Sequence, residues 1–219
     1  MNPYESIKNA IILGKYEPGS RLTEESLAKE LSVSRTPIRE ALKSLESDGL
    51  IISLSRGMMV RQFSYEDIKQ IYDLRSLLES YAAKLAANNR DKEDLEKMDS
   101  LVDEFSSLLE NDLKEKSITK QIMNNNSDFH NAIIKASKND YLNFHISKVV
   151  FLPLVFSSFY WYDRKDIERS FETHVRLIEA IRNRDSDRAL VSMQDHIFTG
   201  RDFVLSSVES SKFYKQGES

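Results

Sequence analysis

The residues best suited to chemistry in this sequence are its histidines. There are four of them, at positions 130, 145, 174 and 196. His130 lies in the run NNNSDFHNAII, and Asn126 precedes it by one helical turn, so both side chains would share one helix face and one cation. Asp128 lies two residues before His130, so its side chain points about 200° round the helix from that histidine. Asn126 is therefore the better placed oxygen donor.

Two further histidines fall on the last two predicted helices. A short turn at RNRDSD would make these two helices antiparallel and bring His174 level with His196. Nothing in the pattern assigns a role to His145. Three neutral imidazoles suit a divalent transition metal, with Zn²⁺ or Ni²⁺ preferred over a hard cation. A three-histidine metal with an open position can also activate water, which leaves a metal-dependent hydrolase as an alternative. The sequence offers no obvious general base for it.

A second pattern, SVSRTPIREALKSL at residues 32–45, is typical of a helix that reads DNA. Ser34 is a suitable N-cap, and Pro37 is tolerated in the first helical turn. Polar and basic side chains then project from the start of this helix, where an arginine can bond a guanine edge in the major groove and other groups can hold phosphates. These candidates are Arg35, Thr36, Arg39 and Lys43.

The elements around that helix predict a winged helix-turn-helix. Apolar spacing gives three helices in residues 4–48, and the run LIISLSRGMMVRQF then reads as two strands around a turn. Arg56 and Gly57 fall at the tip of this hairpin and become candidate DNA contacts of the wing. The whole module occupies residues 1–63, which carry nine Lys and Arg against eight Asp and Glu, although the chain has a net charge of −4.

Residues 64–219 read as an all-α bundle of about six helices. Glycine is absent between Gly57 and Gly200, and apolar residues recur at helical spacing from the first helix onward. In that first helix the stripe comprises Ile68, Ile71, Leu74, Leu78 and Leu85. The aromatic-rich run FLPLVFSSFYWY would be core, with an effector cavity or a dimer face as alternatives.

Composition and hydropathy indicate the cellular compartment in which we expect the protein. Cysteine is absent, so disulfides and thiolate metal ligands are excluded. The longest uncharged run, at residues 149–162, is shorter than the roughly 20 residues needed to span a bilayer, and the N-terminus carries no apolar run of signal-peptide length. We expect a soluble, cytoplasmic protein.

The segment PGSRLTEESLAKELSVSRTPIREALKSLESDGLI closely resembles the winged-helix domain of the GntR family of bacterial transcription regulators. The run THVRLIEAIRNRDSDRALVSMQDH, with the Asn126–His130 pair, resembles the closing motif of the branch that carries an FCD domain, an all-helical ligand-binding bundle. The resemblance implies that Arg35, Thr36 and Arg39 contact DNA. It also implies a metal held at positions 126, 130, 174 and 196.

Asn126 and Arg75 bear on the chemistry of the effector, the small molecule that would control this protein. This chain has Asn126 where many family members have aspartate, so the site keeps the full charge of the ion and would attract an anionic effector such as a small organic acid. Arg75, in YDLRSLLES, stands where family members often have an arginine and is a candidate effector-binding residue; a surface or helix-pairing role is the alternative.

These observations predict a repressor that binds a pseudo-palindromic operator as a homodimer, because two half-sites require two DNA-binding heads. A small carboxylate bound at or near the metal would control it. A metal sensor, in which the ion is itself the signal, stays open beside this prediction, and a histidine-metal hydrolase is the third alternative.

Overall fold

A computed structural model describes residues 2–12, 14–113, 115–149 and 162–210. The chain divides into two compact units, and the boundary along the sequence falls between Ser64 and Tyr65. Most of the aromatic run, including Pro153, lies outside the described residues.

The first unit contains three helices and a small antiparallel sheet. In chain order its elements are α1 (Pro3–Ile12), β1 (Arg21–Leu22), α2 (Glu24–Leu31), α3 (Arg35–Ser47), β2 (Ile51–Ser53) and β3 (Met58–Val60). The strand order is β1-β3-β2, so the predicted hairpin is present and β1 is an additional strand that the sequence pattern did not indicate. Its core is made by Ile7, Ile11, Leu22, Leu27, Ile38, Ala41, Leu42, Leu45, Leu50, Ile51 and Val60.

Local capping explains where the helices of this unit begin and end. Thr23 caps α2 by accepting a hydrogen bond from the Ser26 amide at 3.2 Å. Ser34 occupies the N-cap position of α3 as expected, but within the described chain its side chain makes no capping hydrogen bond. The start of α3 therefore depends on backbone conformation and on Pro37, not on a serine cap.

The end of α3 is fixed by a glycine in the left-handed region. Gly49 has φ +75°, its amide donates to the Glu46 carbonyl, and the Leu50 amide donates to the Leu45 carbonyl. This pair of bonds is a Schellman motif, which terminates a helix by satisfying its last carbonyls. A Cβ at this position would meet only the Arg61 side chain, at 3.6 Å. Glycine is therefore required here for its conformation and not for space.

The hairpin tip packs closely against β1. Gly57 has φ +87°, and a Cβ there would stand 3.0 Å from the backbone oxygen of Leu22. The Arg21 guanidinium also donates a hydrogen bond to the Arg56 carbonyl. The extra strand thus holds the tip from one side.

The second unit is helical throughout its described residues. Its elements are α4 (Tyr65–Asn89), α5 (Lys92–Leu109), α6 (Lys116–Ala136), α7 (Asp140–Val149), α8 (Arg164–Arg182) and α9 (Ser186–Ser210). Capping boxes at Asp91 and Asp163 start α5 and α8. Helix α4 is central: it packs along α9 and also touches α6, α7 and α8.

The buried face of α4 differs from the predicted apolar stripe. Ile68 is buried, but Leu74 is exposed, and Ile71, Leu78 and Leu85 are only half-buried. The residues that point inward are largely small or polar: Ile68, Tyr72, Arg75, Ser76, Glu79, Ser80, Ala82, Ala83, Ala86 and Ala87. The stripe was right in part: Leu78 and Leu85 pack against a buried apolar cluster, but Leu74 is exposed and the inner side of the helix also carries Arg75 and Glu79. No described helix is both long and apolar enough to cross a membrane.

We expect Gly49→Ala to loosen the end of α3, because alanine disfavours the left-handed conformation by about 1 kcal/mol. Amide hydrogen exchange in peptides from α3 should accelerate roughly fivefold. Gly49→Asn is the control, since asparagine tolerates this conformation better and should exchange more slowly than the alanine variant. Equal exchange in the alanine variant and the wild type would contradict this account of the helix end.

Candidate nucleic-acid interface and metal centre

The residues proposed to contact DNA are all exposed on the first unit. Helix α3 buries Ile38, Leu42 and Leu45 and turns its basic side to solvent. All six candidates are exposed: Arg35, Thr36, Arg39, Lys43, Arg56 and Gly57. The fold therefore leaves the start of α3 and the tip of the wing accessible to a duplex, as a winged helix-turn-helix requires.

Two acidic residues at the start of α2 reach the arginines of α3. Glu24 binds Arg39 through both carboxylate oxygens, at 2.7 Å to Nε and 2.8 Å to Nη2. Glu25 lies 3.4 Å from Nη2 of Arg35. From sequence these acids are explained only by their place in the first turn of a helix, where negative charge is favourable. Their contacts with α3 depend on the packing of α2 against it.

In the second unit, three of the four histidines come together. His130 on α6, His174 on α8 and His196 on α9 place ring nitrogens within 4.8 Å of one another. The short turn between Arg182 and Ser186 brings α8 and α9 into register, as the sequence predicted. His145 is exposed on α7 and lies beside Phe144 instead.

A buried carboxylate that the sequence analysis missed orients the first of these rings. Glu79 of α4 is fully buried and accepts a hydrogen bond from Nδ1 of His130 at 2.6 Å. Its other oxygen accepts a hydrogen bond from Nε of Arg75 at 2.8 Å. Burial by itself would raise the pKa of Glu79, but the charge of Arg75 and the His130 imidazole lower it to about 2. Glu79 is therefore ionised, and Nδ1 of His130 is the donor in the hydrogen bond between them.

A hydroxyl performs the same task for His196. Thr173 donates its proton to the Ser170 carbonyl at 2.7 Å, so its oxygen is an acceptor for Nδ1–H of His196 at 2.8 Å. Carboxylates and other acceptors that bind the outer nitrogen of a histidine are the usual way in which a metal-binding ring is held in one tautomer.

The same two contacts turn the inner nitrogens of these rings toward each other. Nε2 of His130 and Nε2 of His196 are 3.0 Å apart, which is the distance of a hydrogen bond. Burial, with the charges of His130 and Arg75, lowers the pKa of His196 to about 3, so His196 is not an imidazolium at neutral pH. Without an ion, one of the two rings carries the proton of this contact, and a metal ion bound to both nitrogens would replace that proton.

The third histidine points to the same conclusion. His174 is buried between Phe129, which stacks on it at 4.1 Å, and the edge of Phe105. Neither of its ring nitrogens has a hydrogen-bond partner in the described parts of the chain, and burial lowers its pKa well below the usual value. A buried neutral imidazole without partners is costly, and coordination of an ion would remove that cost.

Asn126 is the oxygen donor that the sequence predicts for this site. It is buried one turn before His130, and its Oδ1 has no partner among the residues that the structure describes, whereas Asp128 is exposed. Two ligands of one tetrahedral Zn²⁺ stand about 3.4 Å apart at bond lengths of roughly 2.0–2.1 Å. The 3.0 Å between the His130 and His196 nitrogens is close to this value. An ion bound to all three rings would bring nitrogens that now lie up to 4.8 Å apart closer together.

Arg75 has a definite structural position. It is buried on α4, pairs with Glu79, and lies 5.1 Å from the ring of Tyr72. The i, i+4 spacing of Arg75 and Glu79 is visible in the sequence, and it was the one available signal for Glu79. The sequence could not tell that this pair faces inward, because the neighbouring leucines suggested the opposite face.

A winged helix with an exposed basic reading helix, joined to a helical unit with a buried polar site, is the architecture of a DNA-binding transcription regulator. Comparison with known families agrees: the bacterial regulatory proteins of the gntR family match residues 3–59, and the FCD domain matches residues 70–199. The chain therefore belongs to the GntR family and carries an FCD domain. It is a transcription regulator and not an enzyme.

Individual relatives are also described as transcription regulators. The chain is 30% identical over 204 residues to the gluconate operon transcriptional repressor of Bacillus licheniformis, covering 87% of this chain and 78% of that protein. It is 28% identical over 190 residues to the HTH-type transcriptional regulator YdhC of Bacillus subtilis, covering 85% and 82%. McbR/YncC of E. coli is similar in fold, with a TM-score of 0.77 at 22% identity over 94% of this chain and 96% of that one.

We expect Thr173→Val to weaken metal binding about tenfold, because His196 would lose the acceptor that fixes its tautomer. The measurement is a competition titration of Zn²⁺ against a chromogenic chelator, using protein stripped of metal. Thr173→Ser keeps the hydroxyl and should bind like wild type. If valine and serine variants bound Zn²⁺ equally well, the hydroxyl would have no part in holding the ring.

Proposed function

We propose that the chain is a ligand-responsive repressor. The first unit binds operator DNA through α3 and the wing, and the second unit holds a divalent transition metal, Zn²⁺ or Ni²⁺, with a small carboxylate effector at or near it. The observation that carries the metal is the convergence of ring nitrogens from His130, His174 and His196, which lie within 4.8 Å of one another. Repression is supported by similarity to the gluconate operon repressor.

The ligand set fits borderline transition metals. Imidazole nitrogens from His130, His174 and His196 are the preferred donors of Zn²⁺ and Ni²⁺, and the amide oxygen of Asn126 is a neutral, weaker fourth donor. When bound, the ion would supply a Lewis-acidic centre that can accept a carboxylate oxygen. The protein's own residues hold the rings in place through Glu79 and Thr173.

The charge balance of the interior favours an anionic effector. Among the buried residues that the structure describes, the charged groups other than histidine are Arg75 and Glu79, and their charges cancel. Because Asn126 is neutral, a divalent ion would bring two uncompensated positive charges into this interior. A carboxylate effector would offset them, as the sequence suggested.

Arg75 would connect the effector to the metal site through Glu79. It donates a hydrogen bond to one oxygen of Glu79, and the other oxygen of Glu79 bonds to His130. A ligand that moved the Arg75 guanidinium would therefore also shift a metal-binding ring. We propose that Arg75 also binds the effector. A carboxylate that competed with Glu79 for Arg75 would alter the site directly.

A homodimer fits the DNA side of the proposal, since a pseudo-palindrome offers two equivalent half-sites. The outer side of α4 is compatible with a contact between copies. It exposes Leu74, Leu77 and Tyr81 at helical spacing, and Leu77 is 68% exposed. Effector control then requires that the effector bind two arrangements of the protein with different affinity.

A metal sensor is the second candidate, because the histidine triad would serve it equally well. The same ligands would serve a resident ion that positions an organic acid and an ion whose arrival is the signal. The two cases differ in which component changes DNA binding.

We expect Arg39→Ala to lower operator affinity roughly 10- to 100-fold, because a bidentate arginine–guanine contact contributes about 1–3 kcal/mol of discrimination. Fluorescence anisotropy with an operator duplex and a scrambled duplex would measure it. Lys43→Ala is the comparison, since loss of a phosphate contact should weaken both duplexes alike. Operator binding by Arg39→Ala as tight as wild type would place the reading surface elsewhere.

We expect small carboxylates to change operator affinity only in metal-loaded protein. Zn²⁺ and a panel of organic acids would be varied separately in the anisotropy experiment, with His130→Ala/His174→Ala as the metal-free control. Elemental mass spectrometry should find about one Zn or Ni per wild-type chain and none in that variant. A response to Zn²⁺ alone, unaffected by any acid, would identify a metal sensor instead.

A further inference from the structure

The acid pair at the start of α2 has a geometry that bears on how DNA is read. A guanidinium has two edges that each present a pair of parallel N–H donors: one is formed by Nε and Nη2, and the outer one by Nη1 and Nη2. Glu24 occupies the first edge of Arg39, at 2.7 and 2.8 Å. The outer edge is therefore the one turned away from α2, and Arg39 remains 58% exposed.

That outer edge has the right shape for a guanine. Arginine contacts guanine by two parallel hydrogen bonds to O6 and N7 in the major groove. A guanidinium already gripped along its inner edge by a carboxylate keeps one orientation, whereas an unrestrained arginine samples many. Glu24 thus selects the conformation in which Arg39 can make a bidentate contact.

Glu24 also changes what Arg39 gains from phosphates. Attraction to the DNA backbone depends on net positive charge and is independent of sequence, whereas base contacts depend on hydrogen-bond geometry. The hydrogen bond from Arg39 is the main cause that lowers the pKa of Glu24, so the acid is ionised and cancels the charge of its partner. The pair keeps the directional donors of an arginine with little of its charge.

We propose that Glu24 is a specificity-determining positioning residue, which aims the outer edge of Arg39 at a base and suppresses its binding to phosphates at arbitrary sequences. The inference rests on the proposed placement of α3 in the major groove. It goes beyond that placement by assigning a role in discrimination to an acid on the preceding helix. An ion pair between exposed side chains contributes little to stability, so Glu24→Gln should still fold.

Glu25 provides a matched control. It belongs to the same turn and carries the same charge, but it approaches Arg35 by one atom pair at 3.4 Å and its side chain is 80% exposed. Replacing either acid by glutamine raises the net charge near α3 by one. Only Glu24→Gln also loosens an arginine held along a full edge.

The experiment uses full-length protein and two duplexes of equal length. One is a sequence enriched by the wild type from a random library, and the other is its scrambled counterpart; both affinities are measured by fluorescence anisotropy at several salt concentrations. Glu24→Gln should bind the scrambled duplex more tightly, with a salt dependence steeper by about one phosphate contact. Its ratio of specific to scrambled affinity should fall about tenfold or more. Glu25→Gln should raise both affinities and leave the ratio within about twofold of wild type, which is far less than a lost base contact would cost.

A second variant separates action through Arg39 from a general charge effect. In an Arg39→Ala background, Glu24→Gln should leave the affinity ratio unchanged, because the residue it positions is gone. An unchanged ratio in the single Glu24→Gln variant, with thermal unfolding like wild type, would overturn the proposal. A wild-type protein that enriches no sequence from the library would instead overturn the placement of α3.

Discussion

Glu79 is a carboxylate in the interior of a helical bundle, and the polar part of that bundle is organised around it. A buried charge is costly unless it is paired and hydrogen-bonded, and Glu79 meets both conditions with Arg75 on one oxygen and His130 on the other. Removing either side of such a buried pair leaves an uncompensated charge, which costs about 3–5 kcal/mol. The arrangement therefore constrains α4 and α6 together and explains why two charged residues lie on the inner face of α4.

The same carboxylate determines the chemistry of the site. It accepts a hydrogen bond from Nδ1 of His130 and so turns Nε2 of that ring toward Nε2 of His196, whose Nδ1 is bonded to Thr173 on the opposite helix. Two helices contribute the facing nitrogens, and two others contribute the groups that orient them or complete the triad. An ion at this point would be bound by α6, α8 and α9 while the orientation of its first ligand depended on α4.

The sequence predicted the architecture well, because its signals were local. The apolar spacing of the helices in residues 4–48 and the strand–turn–strand run that follows them each act within a few residues of the element they define. The approach of His174 to His196 was also predictable, since it follows from helix geometry and the short turn between α8 and α9, whereas the family resemblance joined His130 to them.

What the sequence did not show depends on which side of a helix is covered. Leucines at positions 74 and 78 gave α4 an apolar stripe, yet the packing of α4 along α9 and beside the histidines turns Arg75 and Glu79 inward. The contacts of Glu24 and Glu25 with α3 were missed for a similar reason, because they join two helices. Strand β1 has only two residues, Arg21 and Leu22, and so carries no alternation that could be recognised.

That short strand has a consequence for the wing. Its backbone pairs with β3, the Leu22 carbonyl fills the space where a side chain on Gly57 would stand, and Arg21 bonds the carbonyl of Arg56. A loop that samples many conformations loses conformational entropy when it settles into a minor groove or onto a backbone, and this loss is subtracted from the binding free energy. A tip already restrained by a third strand has less freedom to lose, so Arg56 would meet the duplex at a smaller entropic cost than a simple two-stranded hairpin would incur.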